Sequence, residues 1–98
     1  MAAGSHAKRR DANEPAIIDA LRKQAVGVAA NDTGKGQPDL TCCYRHVYFL
    51  LEVKVPGEKL SKVQQEYHDK WPGKIYIATT PQEAVACAMA AWVERMNG

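Results

Sequence analysis

Cysteine is scarce in this chain: Cys42, Cys43 and Cys87 are the three in 98 residues, and no Cys-x-x-Cys spacing occurs. An odd count without that spacing argues against a disulfide framework or a zinc ribbon and favours a reducing compartment. Long apolar runs are also missing. None approaches the ~20 residues needed to cross a bilayer, and no apolar signal-peptide core stands at the N-terminus. A cytosolic protein is expected. Charge of one sign is not abundant either. The net charge of +2 is too small to argue for nucleic acid, so the position of charges matters more than their total. Repeats and low-complexity segments are absent. What remains is 98 residues with 46% hydrophobic content, enough for one small domain that oligomerisation would help to stabilise.

Residues 1–12 carry the cluster Lys8-Arg9-Arg10 on a small, polar background. They read as a flexible basic arm, either solvated or touching phosphate. Gly4-Ser5-His6 resembles a tag remnant and is given no role. A single domain is expected over residues 13–98. Ile17, Ile18, Leu21 and Ala25 keep helical spacing, which predicts a first helix over about Glu14 to Gln24, with Asn13 as N-cap and Gly27 as its stop. Val28 to Ala30 forms a short first strand. Asn31 to Pro38 is a loop rich in turn residues. Strands follow over Leu40–Tyr44 and Val47–Val55. A second helix begins at Ser61 and carries Val63, Tyr67 and Trp71 at helical spacing before Pro72-Gly73. Lys74–Thr79 is the fourth strand. Thr80, Pro81 and Glu83 form a capping-box start for a third helix running through Met96. The order is helix, three strands, helix, strand, helix. The right-handed crossover rule lets the fourth strand join the hairpin sheet in parallel, giving an α/β fold with a mixed four-stranded sheet covered by helices on both sides.

The chemistry gathers on that hairpin. Centred between Arg45 and His46, pairing follows a constant residue sum, and Asp39 falls opposite Glu52. Directly opposed side chains stand roughly 4.5–5.5 Å apart at Cβ. Two carboxylates that close repel unless a positive charge lies between them, and an oxygen-loving divalent cation is the usual remedy. Lys54, two residues past Glu52, shares its face. Magnesium held by Asp39, Glu52 and the backbone carbonyl of Val53 would polarise a phosphodiester and acidify a bound water. Lys54 would orient that water or offset developing charge. Glu14 either assists the metal or is a first-turn glutamate favoured by the helix dipole. Gln64 sits at N3 of a Ser61 capping box, or it contacts water or substrate. Gly34-Lys35-Gly36 lacks the ending of a phosphate loop and reads as a flexible loop flanking the site. Cys42, Cys43 and His46 make a poor zinc set, because adjacent cysteines point to opposite faces. Phosphate contacts are expected from Lys8, Arg9, Arg10, Lys35, Lys59 and Lys62.

Gly36-Gln37-Pro38-Asp39-Leu40, then Glu52-Val53-Lys54, then Leu60-Ser61-Lys62-Val63-Gln64 resemble the virus-type replication-repair nuclease (VRR-NUC) pattern, within the PD-(D/E)XK nuclease superfamily. The resemblance runs from about Glu14 to Ala86. It implies a restriction-endonuclease-like fold and a Mg²⁺-dependent DNase, with Mn²⁺ as a substitute. Metal binding would fall to Asp39 and Glu52 assisted by Glu14, catalysis to Lys54, and a part at the site to Gln64. It further implies a stand-alone type from a phage or bacterium that resolves Holliday junctions as a homodimer. Flap or duplex-end cleavage, or an inert DNA-binding module of nuclease ancestry, are the rivals. A two-fold dimer would supply the second active site that symmetric cutting needs. Apolar surface near Trp92 and Met96 is one expected interface.

Overall fold

The computed structural model describes residues 10–32 and 34–98; Lys8 and Arg9 of the basic arm lie outside them. Seven elements follow in the expected order: α1 (Glu14–Lys23), β1 (Gly27–Ala30), β2 (Leu40–Tyr44), β3 (Val47–Val53), α2 (Lys62–Lys70), β4 (Ile75–Ala78) and α3 (Pro81–Asn97). The sheet order is β1-β2-β3-β4. β1–β2 and β2–β3 are antiparallel, and β3–β4 is parallel, so the fold is α/β with a mixed four-stranded sheet.

The hairpin register is the constant-sum one, with Tyr44 facing Val47 and Leu40 facing Leu51. Its two-residue turn places Arg45 (φ 50°) and His46 (φ 69°) in the left-handed region. That suits the twist of a tight hairpin, although neither residue is the glycine or asparagine that usually signals one. Alternation then sends Leu40, Cys42, Phe49, Leu51 and Val53 to one face. There they meet Ile17 and Leu21 of α1 and Ala84, Ala88 and Ala91 of α3. The small alanines let α3 lie close against the sheet. From β4, Tyr76 and Ala78 join this core, and Phe49 meets Tyr76 edge-on at 5.8 Å.

Four local features depart from expectation. Asn13 precedes α1 but makes no side-chain cap; its amide is drawn to two strand-end carbonyls instead. α1 is stopped by Ala25 (φ 60°), not Gly27, because Ala25 N–H and Val26 N–H close back onto Arg22 O and Leu21 O. β3 ends at Val53, since Val55 enters a turn in which it exchanges bonds with Glu58 around Pro56-Gly57. Glu83 does not complete a capping box with Thr80; its carboxylate accepts from the amide and hydroxyl of Thr79. Helix coverage is also lopsided. α1 and α3 cover the core face, whereas α2 buries no residue and meets the opposite face at Glu52 and Lys54 through Gln64 and His68. Tyr48, in the middle of that face, remains 76% exposed.

Candidate active site

The site lies where β3 runs out, between the start of β2 and the first turn of α1. Four ionisable side chains are buried there: Glu14, Asp39, Glu52 and Lys54. Glu52 is only 1% exposed and Lys54 6%. Charged residues are almost never buried this far unless paired or coordinating, so the cluster demands a reason.

Backbone geometry fixes Asp39. Pro38 is buried before it, and Asn31 ties the base of the loop: its N–H donates to Asp39 O at 2.8 Å, and its side-chain amide donates to Pro38 O at 3.0 Å. Gly36 (φ 80°) is pressed against α2, and a Cβ there would overlap the Val63 carbonyl, so only glycine fits. Thus anchored, Asp39 Oδ2 accepts from Val53 N–H at 2.7 Å across the strands. A strand residue's N–H and C=O point to the same flank, so the Val53 carbonyl also faces the Asp39 side. Lys54 N–H turns the other way, to Ala78 O at 3.0 Å.

Gln64 closes the cap of α2 and also reaches the buried acid and ammonium. Its Oε1 accepts from Ser61 N–H at 2.9 Å while its own N–H donates to Ser61 Oγ at 3.2 Å, closing the capping box. The same Oε1 accepts from Lys54 Nζ at 2.5 Å, and Nε2 donates to Glu52 Oε2 at 3.3 Å. One amide therefore links the acid of β3 and the ammonium just past its end to the start of α2.

Glu14 and Asp39 meet a different cation. Arg10 Nη1 stands 3.4 Å from Glu14 Oε2 and 3.8 Å from Asp39 Oδ1, while Nη2 bonds Asp32 and donates to Asn31 O at 2.8 Å. Arg10 is thus turned inward rather than outward to phosphate. Lys35, Lys59 and Lys62 are exposed on the loop and around the start of α2.

Three neighbours were not read as site residues from the sequence. Asn13 Nδ2 donates to Lys54 O at 3.0 Å and Thr79 O at 2.8 Å, pinning α1 to the ends of β3 and β4. His68 Nε2 lies 3.7 Å from Glu52 Oε1. Burial holds the His68 pKa below its usual value, opposed by Asp69 and helped by the Lys54 charge. Asp11, by contrast, has its pKa raised, first by burial and then by Glu58 and Asp39. Their partners are remote in sequence, which is why spacing did not reveal them.

Among the described residues, no three His, Cys, Asp or Glu side chains gather closely enough to hold a metal ion. Glu14 and Asp39 share the Arg10 guanidinium, whereas Glu52 is bonded to Gln64. Carboxylates, a backbone carbonyl and water are donors that suit a hard cation such as magnesium. Compared with known proteins, the chain matches no family model, no curated protein and no solved structure. Among the described residues, no helix is long and apolar enough to cross a membrane.

Proposed function

We propose that this protein is a divalent-metal-dependent endonuclease of the VRR-NUC type, with a PD-(D/E)XK fold, acting on branched DNA and above all on four-way junctions. One observation carries the reading: Glu52 in β3 and Lys54 just past its end are both buried and joined through Gln64, and Asp39, just before β2, is bonded to Val53 between them. An acid and an ammonium held together at a strand end are what hydrolysis of a phosphodiester uses, the one towards a metal ion and the other towards developing charge.

Asp39, Glu52 and the Val53 carbonyl would hold Mg²⁺ or Mn²⁺, whose chemistry is to polarise the phosphate and acidify a water. Asp39 keeps its bond to Val53 N–H, which fixes the carboxylate's orientation and spares it a search for geometry. Lys54 places its ammonium beside the site to orient the attacking water and offset charge on the phosphate oxygens. Gln64 holds that ammonium in place and, through Nε2, aims the Glu52 carboxylate. His68 stands against Glu52 on the side of Oε1. A homodimer would bring two such sites to one junction.

The test is a comparison of four-way junction, flap, splayed arm and linear duplex, each with magnesium and with chelator. Metal-dependent cutting of the four-way junction in preference to the rest is expected. Asp39→Ala or Glu52→Ala should abolish cutting yet retain junction binding; normal cutting by either variant refutes the site. The guanidinium of Arg10 beside Asp39 favours a second reading, an inert DNA-binding module whose acid is neutralised by an arginine. Binding without cutting of any substrate would select it.

A further inference from the structure

α2 shows two adjacent stripes. Gln64 and His68 face Glu52. Val63, Tyr67 and Trp71, which helical spacing would assign to a core, bury nothing: Val63 is half exposed and Trp71 is 41% exposed. Tyr67 and Trp71 are stacked, with ring centres 5.7 Å apart and planes 16° from parallel. Together with Lys35, Glu66 and Lys70 they line a groove of about 360 Å³. Trp71 also borders a second groove beside Tyr48 and Leu50. An aromatic row thus leads from the groove onto the uncovered face of the sheet.

We propose that this groove stacks an unpaired nucleotide of the DNA substrate immediately beside the cleavage site. The choice of nucleic acid rests on the nuclease reading. The rest follows from the groove's chemistry. Stacked aromatic rings with an open face accept a base of any sequence, and lysines at the rim receive its phosphates. Glu66 is the one carboxylate in the lining, and it stands one helical turn from both Lys62 and Lys70, so positive charge prevails. Half of the lining residues are charged, whereas protein–protein interface cores are depleted of Lys and Glu, which disfavours a second copy as occupant. The volume lies at the lower end of small-ligand pockets, ~300–1,000 Å³, a size for one nucleoside and not for a folded surface. Position completes the case. Gly36 is wedged against Val63, and Asp39 follows three residues later, so the groove wall and the acid belong to one anchored loop. The enzyme would then require melted or single-stranded DNA at the point of cutting and would discriminate against continuous duplex.

The experiment uses the full chain in chelator, where no cutting occurs. With Trp92→Phe, Trp71 becomes the sole tryptophan reporter. Oligodeoxythymidine should quench it saturably, and blunt duplex should not. With a labelled oligonucleotide, Trp71→Ala and Tyr67→Ala should each weaken binding about tenfold, and Trp71→Phe should restore most of it. Lys70→Gln should reduce the salt slope by about 0.7. Unchanged affinity in Trp71→Ala overturns the proposal, as does equal quenching by duplex or equal displacement by oligoglutamate. Quenching that grows with protein concentration alone would assign the groove to a second copy and overturn it too. Loss of stacking with junction cleavage intact refutes only this inference. Stacking without any cleavage under magnesium refutes only the nuclease reading.

Discussion

Arg10 brings one guanidinium to Glu14, Asp32 and Asp39, which lie 4, 22 and 29 residues further along the chain. No local pattern announces such a contact, so the sequence reading grouped Arg10 with the basic arm. Asp39, Glu52 and Lys54 were legible because strand alternation alone puts them together. Removing Arg10 leaves two buried carboxylates without that cation. Arg10→Ala should therefore cost roughly 1–3 kcal/mol in urea unfolding. The same loss deepens the negative potential at Asp39, so calorimetry should show Mn²⁺ binding several-fold tighter than in the native chain. Equal affinities would show that the guanidinium and the ion do not share Asp39's field. Lys54→Ala should lower the turnover rate about 100-fold or more, the scale of a lost charge-stabilising group, while Mn²⁺ affinity stays near native. A defect in metal affinity alone would contradict the role given to its ammonium.

At the scale of elements, turn chemistry was the least legible layer. The hydrophobic periods located every helix and strand within a few residues, and the capping box of α2 was explicit in Ser61 and Gln64. The stop of α1 was not, because an alanine occupies the left-handed position where glycine is expected. Leu21 and Val26 are both buried, and their packing across the terminus evidently over-determines the conformation. Left-handed geometry costs an ordinary residue ~1–2 kcal/mol. Ala25→Gly should accordingly raise stability by about 0.5–1 kcal/mol, net of glycine's larger chain entropy, as a shift in urea midpoint at constant slope. Asn13 illustrates the opposite case. A residue chosen by type as a cap is diverted to Lys54 and Thr79, 41 and 66 residues away.

Across the whole molecule, one face of the sheet is sealed by α1 and α3 and the other is left mostly open. The sealed side sets the alkaline limit of the fold. Burial pushes the Cys42 thiol from 9.0 up to about 12, and burial with a hydrogen bond to Glu94 pushes the Tyr76 phenol from 10.0 up to about 12. Both are largely protonated in folded and unfolded chains below about pH 8. Above it the unfolded chain releases its protons first, so stability falls as pH rises from about 8 towards 12. Urea midpoints at pH 8, 10 and 11 should decline in that order. Tyr76→Phe should flatten the part above pH 10; an unchanged slope would remove the phenol from the account. The open side was hidden from periodicity, which cannot distinguish a helical stripe that is buried from one that is not.

The bond from Val53 N–H to Asp39 gives the site a built-in spectroscopic witness. This amide is shielded by a side chain, whereas the next one, on Lys54, is held by the sheet through Ala78. An ion or a phosphate that draws the carboxylate aside should move the nitrogen–proton resonance of residue 53 and speed its isotope exchange, while its neighbour keeps time. Two consecutive amides would then separate occupation of the site from loosening of the strand.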